Sequence, residues 1–243
     1  MSNGAALIVG AGDATGGAIA RAFAREGLTA CVTRRARNLD SLMSLVSGIE
    51  ADGGRARAFG VDARDEDATI ALIDQIEREA GPLEVCVFNI GANVRFGITE
   101  TTSRVYQKVW EMAAFSAFLA GREAARVMRP RGRGTILFTG ATAGLRGRDG
   151  FSAFAGAKHA LRALAQSMAR ELGPQGIHVA HVVIDGAIDS QFIRENLPDA
   201  DDRRARDGLL IPDEIAKNYV WLHRQHRSAW THELDLRPWN ETW

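Results

Sequence analysis

The sequence predicts an α/β fold: one doubly wound parallel sheet with helices on both faces. Three observations carry this reading. Short apolar runs alternate with amphipathic helical stretches through most of the 243 residues. The apolar runs lack a polar face, as strands covered from two sides do. A glycine-rich turn follows the first run, as at the first strand-to-helix turn of a βαβ unit.

The elements follow in order. "ALIVGA" (5–10) reads as a strand, and "GGAIARAFAREG" as a helix stopped by Gly27. "LTACVT" (28–33) is the second strand, followed by the helix "LDSLMSLVSGIEADGG". "RARAFGV" is the third strand and "DEDATIALIDQIEREAG" its helix. "LEVCVFNI" (83–90) reads as a buried strand, and a long helical pattern covers roughly 102–128. "GTILFTGA" and "IHVAHVVI" are two further strands, separated by the helix that carries "FAGAK". Neither linker nor repeat interrupts the pattern, so 1–243 reads as one domain. The charged stretch 186–212, with its two prolines, reads as a mobile flap or loop.

Composition narrows the function classes. Hydrophobic residues make up 46% and charged residues 25%, within the range of globular domains. Net charge is zero, which removes any global attraction to nucleic acid or anionic membrane. The basic runs "RRAR" (34–37) and "RPRGR" (129–133) are short and lack interleaved aromatics, so they read as solvated loops, Arg34 excepted. Cys31 and Cys86 each sit in a strand, as small core residues of a reducing compartment. The N-terminus enters a strand without a secretory pattern, and no apolar run reaches the ~20 residues of a membrane span, so a cytoplasmic location is expected.

The turn "VGAGDATGGAIA" (9–20) reads as a phosphate cradle: backbone N–H groups and the positive end of a helix dipole favour a pyrophosphate. Gly10 permits the tight turn, and Gly16 or Gly17 the close approach of backbone to phosphate. Gly12, Asp13, Ala14 and Thr15 complete the turn. A packing turn without ligand is the alternative. At the end of the second strand an acid would bind the 2′-hydroxyl of NAD, and an arginine would accept the 2′-phosphate of NADP. The chain has Thr33, Arg34, Arg35 and Arg37 there, with no acid before Asp40, which favours NADP(H) over NAD(H) unless the arginines are merely solvated. Asp62, followed by Ala63, falls where an adenine edge would lie.

These features, with "FNIGA" (88–92), "GATAGLRGRDGFSAFAGAK" (140–158), "ELGPQGIHV" (171–179) and "IDGAID" (184–189), resemble the short-chain dehydrogenase/reductase family over nearly the full length. The resemblance implies a Rossmann-like fold with seven strands, NAD(P) binding, a homotetramer or dimer, and hydride transfer between cofactor and a small molecule. It places Asn89 and Gly91 at the cofactor pocket, and Gly186 and Ile188 at the nicotinamide carboxamide. Ser190 falls near the diphosphate, and Asp185 stands where proline is usual after a one-residue insertion. The first-turn pattern departs at Val9 and at Ala14.

The catalytic set departs further. The family uses an asparagine, a serine and Tyr-x-x-x-Lys. By position these become Ala113, Ala141 and Phe154, and only Lys158 remains. Seven positions before the lysine stands Phe151. The only tyrosines are Tyr106, at a place for a structural aromatic, and Tyr219. Phe154 and Lys158 share one helix face. A phenyl ring donates no proton, and losing a positioned acid typically forfeits ~10²–10⁴ in rate. Thr142 and Ser152 are the candidate substitutes, with Asp185 a further polar group on the nicotinamide side.

The six histidines form no convincing metal set. His223 and His226, three apart on a late helix, lack a third ligand. The leading reading is an NADP(H)-dependent oxidoreductase acting without the tyrosine acid. The alternatives are a cofactor-binding pseudo-enzyme or sensor, and a non-redox lyase or isomerase. The resemblance implies that the homo-oligomer pairs through the 102–128 and 151–173 helices; the small, apolar "MAAFSAFLAG" face fits such a seam, and the terminal Trp239 and Trp243 add aromatics that seldom stay fully wet.

Overall fold

Every residue from Ala5 to Val9 is buried, and alternate side chains enter two different cores. That period of two, apolar on both faces, requires layers above and below. The computed structural model describes residues 4–242, so Trp243 lies outside the described residues. Strands β1 (Ala5–Val9), β2 (Thr29–Arg34), β3 (Arg55–Gly60), β4 (Leu83–Phe88), β5 (Gly134–Thr139), β6 (Ile177–Ile184) and β7 (Glu233–Leu236) form one parallel sheet. Their order is β3-β2-β1-β4-β5-β6-β7. The seventh strand, implied by the resemblance, pairs His181 with Glu233 at the sheet edge.

The helices are α1 (Thr15–Arg25), α2 (Leu39–Ala51), α3 (Glu66–Glu79), α4 (Ser103–Trp110), α5 (Ser116–Met128), α6 (Ser152–Leu172), α7 (Gln191–Asn196), α8 (Ala200–Ala205) and α9 (Pro212–Arg224). Helices α1, α2 and α9 cover one face, packing Ile19, Phe23, Leu42, Ile49, Ile215 and Leu222 onto Ile8, Val32, Val87 and Val182. Helices α3, α5 and α6 cover the other, with Leu72, Ile76, Ala120 and Leu161 against Leu7, Phe88, Phe138 and Val179. Each such buried Val, Leu, Ile or Phe side chain contributes about 1.5–3 kcal/mol. Cys31 and Cys86 are free and buried, and burial pushes both thiols up to about 12.

Three stretches gain detail. The 102–128 pattern is helical from Ser103 to Met128, but a π turn over Glu111–Phe115 interrupts the α geometry between α4 and α5, and the Ser116 hydroxyl there donates to the Met112 carbonyl at 2.6 Å. Such back-bonding competes with the regular ladder. The stretch 186–212 contains α7 and α8, and Asp189 ties it together by pairing with Arg194 at 2.7 Å and Arg204 at 3.3 Å. The late helix ends at Arg224, so His226 lies beyond it, and the His223 ring faces the Thr135 hydroxyl at 2.9 Å. The run at 129–133 is neutralised locally, Arg131 by Glu77 and Arg133 by Glu84.

Candidate active site

Strands β1 and β4 are neighbours, but their chains leave toward opposite faces, which opens a crevice beyond their C-terminal ends. Two connected cavities lie there. One, of about 240 Å³, is lined by Thr33, Arg34, Arg35, Asp62 and Ala63. The other, of about 700 Å³, is lined by Ala14, Thr15, Thr142, Phe154, Lys158 and Ser190, among others. Gly10, Gly12, Asn89, Ile90 and Gly91 line both.

The glycine turn is built between them. Gly10 has φ +89°, and the N–H groups of Gly10 and Ala11 donate to the Thr33 carbonyl at 3.0 and 3.1 Å. The Asn89 amide donates to the Gly10 carbonyl at 3.1 Å, locking the turn to the end of β4. A Cβ on Gly16 would lie 2.6 Å from that same carbonyl, so only glycine lets α1 start this close to β1. At the start of α1 the Thr15 hydroxyl is buried with no hydrogen-bond partner among the described residues. An orphaned hydroxyl beside helix N–H groups, in an open cavity, fits an anionic group such as a pyrophosphate. Ala92, just after Gly91, has φ +62°, a strained conformation for a residue with a side chain.

In the smaller cavity Arg34 reaches the Ser41 hydroxyl at 3.4 Å, and Thr33 contributes backbone. Asp62 is held by Arg64 through two side-chain hydrogen bonds of 3.0 and 2.6 Å, which lower its pKa. Arg64 was not anticipated from the sequence; it sits in the turn that Asp62 opens, where the Asp65 N–H donates to the Asp62 carbonyl at 2.9 Å and the Arg64 N–H to Asp62 Oδ1 at 3.2 Å.

In the larger cavity Lys158 is 2% exposed. Its ammonium donates to the Thr139 carbonyl at 2.8 Å and the Ile90 carbonyl at 3.1 Å, and lies 5.8 Å from the centroid of the Phe154 ring. Burial lowers its pKa to about 7. Phe154 packs with Ala113, Val109 and Ala157, so the wall beside the lysine is apolar. Thr142 opens a 3-10 turn after β5 and donates its hydroxyl proton to Asp185 at 2.5 Å. Asp185 is buried behind it, with Arg146 at 3.6 Å.

Most of the expected site residues converge. Gly186, Ile188 and Ser190 line the larger cavity, and Ser190 also caps α7. Two expectations fail. Ser152 does not line the cavity: it is the first residue of α6, and its hydroxyl is buried. Asp185 does not face the cavity and instead backs Thr142. Tyr106 is half exposed, with its hydroxyl against Gly156, away from the cavity. Arg146, Arg148 and Phe192 line the cavity without having been anticipated, being loop and short-helix residues with no periodic signal. On the floor, Gly140 abuts the fully buried His181, and a Cβ at Gly140 would run into the ring. His181 faces Glu233 at 2.9 Å, and Arg162 clamps Glu233 with two hydrogen bonds.

Comparison with known proteins agrees with this layout. Gluconate 5-dehydrogenase of Gluconobacter oxydans (strain 621H) is 32% identical over 179 residues, 74% of this chain and 69% of that protein. Versicolorin reductase 1 of Aspergillus parasiticus is 31% identical over 227 residues, 91% of this chain and 82% of that protein. The crystal structure of a short-chain dehydrogenase from Rhodopseudomonas palustris superposes with a TM-score of 0.84 at 47% identity, covering 98% of this chain and all of that one. The sequence model of the short chain dehydrogenase family matches residues 4–201. The chain belongs to that family of oxidoreductases, which bind a nicotinamide cofactor.

Proposed function

We propose that the protein is an NADP(H)-dependent reductase whose substrate accepts hydride without a proton from a side-chain acid. The observation that carries this is the pairing of Lys158 with Phe154: the lysine is buried at the cavity wall, and the ring one helical turn before it bears no proton. In this reading Phe154, Ala141 and Ala113 occupy the positions of the family's tyrosine, serine and asparagine. The turn from Gly10 to Gly16 holds the pyrophosphate, with Asp13 and Ala14 at its rim and the Thr15 hydroxyl donating to it. Arg34, with Arg35, receives the 2′-phosphate, and Asp62 and Ala63 border the adenine. Lys158 holds the nicotinamide ribose. Gly186 and Ile188 hold the carboxamide, and Ser190 approaches the diphosphate. When bound, NADPH supplies the hydride.

Reduction of a ketone leaves an alkoxide that needs a proton as hydride arrives. An iminium ion needs none, and an activated alkene takes its proton later, from water, at the second carbon. A wall that supplies no proton is tolerated by both of these and not by a ketone. The test is a turnover screen with NADPH over ketones, activated alkenes and imines. Turnover confined to the last two classes is the expected result. Efficient ketone reduction overturns the reading, and absence of turnover in every class replaces it with a cofactor-binding protein that does no chemistry.

A further inference from the structure

Thr142 is the hydroxyl-bearing side chain on the wall formed after β5, and its proton is committed. The hydroxyl donates to Asp185 Oδ1 at 2.5 Å. Asp185 cannot turn away from it. Its backbone N–H is fixed to the Leu236 carbonyl at 2.8 Å, its side chain is buried, and Arg146 lies 3.6 Å from the same oxygen. An ionised carboxylate only accepts hydrogen bonds, whereas a hydroxyl has one proton and two lone pairs. What Thr142 offers to the cavity is therefore acceptor capacity alone. The adjoining wall residues Ala141, Ala143, Phe151 and Phe154 offer no side-chain hydrogen bond. Donors on this cavity include Asn93, Arg146 and Arg148, and Arg146 is paired with Asp185. The Lys158 ammonium commits two of its three N–H groups to backbone carbonyls and, in the proposed reading, the third to the ribose.

A carbonyl oxygen presents no proton to an acceptor. Placed against Thr142, it would meet lone pair with lone pair and leave a buried acceptor unmatched, a penalty that recognition sites use to reject a ligand. An N–H group is the complementary partner. Building on the proposed hydride transfer without a side-chain acid, we infer that Thr142, backed by Asp185, selects substrates that present an N–H: protonated imines on the oxidised side and secondary amines on the reduced side. The reaction balances without a protein acid. Hydride from NADPH forms the new C–H bond at the iminium carbon, and the C=N π pair passes to nitrogen. The cation becomes a neutral amine, and NADPH becomes NADP⁺. The N–H that meets Thr142 is present before and after transfer. Asp185 is a positioning residue, acting through the hydroxyl it orients.

The test is equilibrium binding by calorimetry to the protein saturated with NADP⁺, using 2-methylpyrrolidine and cyclopentanone as probes. The amine is expected to bind at least tenfold more tightly. Thr142→Val should erase that preference and Thr142→Ser should keep it. Asp185→Leu, which returns the hydroxyl proton to the cavity, should shift the preference toward the ketone. Equal affinities in the unmodified protein, or a preference that survives Thr142→Val, overturn the inference. So does rapid reduction of 2-cyclohexenone together with failure to reduce 2-methyl-1-pyrroline, although the acid-free reading of the site would then still stand. Fast reduction of cyclopentanone would instead remove that reading itself.

Discussion

Lys158 donates to the carbonyl oxygen of Thr139 at 2.8 Å while almost wholly shut off from solvent. A lysine placed this way titrates near neutrality, about 7 against an ordinary 10.5. Between those values the unfolded chain carries a proton here that the folded chain does not. Stability from this group therefore rises with pH across that window, and the full burial penalty is felt below it. Compared with Lys158→Met, the unmodified cofactor-free protein should gain on the order of 3 kcal/mol between pH 6.5 and pH 10. Paired urea denaturation curves at the two pH values measure this. A gap independent of pH would mean that the lysine titrates normally.

Arg34 lines the smaller cavity at the end of β2, where an acid would serve NAD. Arg34→Ala should weaken NADPH binding roughly tenfold and leave NADH binding nearly unchanged. Fluorescence titration with both cofactors reads the ratio. A ratio that does not move would assign the 2′-phosphate to other residues or to none.

Phe154→Tyr alone should give little ketone reduction, because Ala141 offers no hydroxyl to steady the substrate oxygen. Adding Ala141→Ser should raise ketone turnover by about 10² over the single variant, the lower range for a positioned acid. Steady-state rates with cyclopentanone and NADPH decide this. Strong activity from the single variant would show that the serine position is dispensable here.

A groove of about 830 Å³ runs between α5 and α6, lined by Phe118, Arg122, Leu164 and Met168, among others. Phe118 is 40% exposed and stacks with Phe115, which stacks on Trp110. An aromatic ladder of this kind is suited to pairing with a second copy of the chain. Light scattering should give the mass of two or four chains, and Phe118→Asp should lower it. A single-chain mass at micromolar concentration would exclude the assembly. In the tail Trp239 is 80% exposed, and its indole N–H donates to the Arg206 carbonyl.

The fold was legible in the sequence because the strands are buried from two sides: β1 has no polar residue, and β6 has only His178 and His181 to blur the signal. The glycine turn was equally plain, since Gly16 sits where any side chain would strike backbone. What sequence could not show was pairing across distance. Thr142 and Asp185 are 43 residues apart and meet only because β5 and β6 are neighbours. Residue type alone made Asp185 a group facing the nicotinamide and Ser152 a proton donor, and burial reversed both assignments. The π turn was hidden for a different reason. Its residues keep helical periodicity, and only the Ser116 back-bond marks it.

Gly140 and His181 occupy one volume between them, and this makes the history of the two positions depend on order. A side chain gained at 140 while the imidazole is in place collides at once with a ring that is fully buried and has nowhere to go. If His181 shrinks to alanine first, the space exists before it is filled, and a serine at 140 is then accommodated on the floor of the larger cavity. The gain at 140 is thus far costlier alone than after the loss at 181, although that loss removes the hydrogen bond to Glu233. A hydroxyl can be introduced at this floor by one mutational route and not by the other.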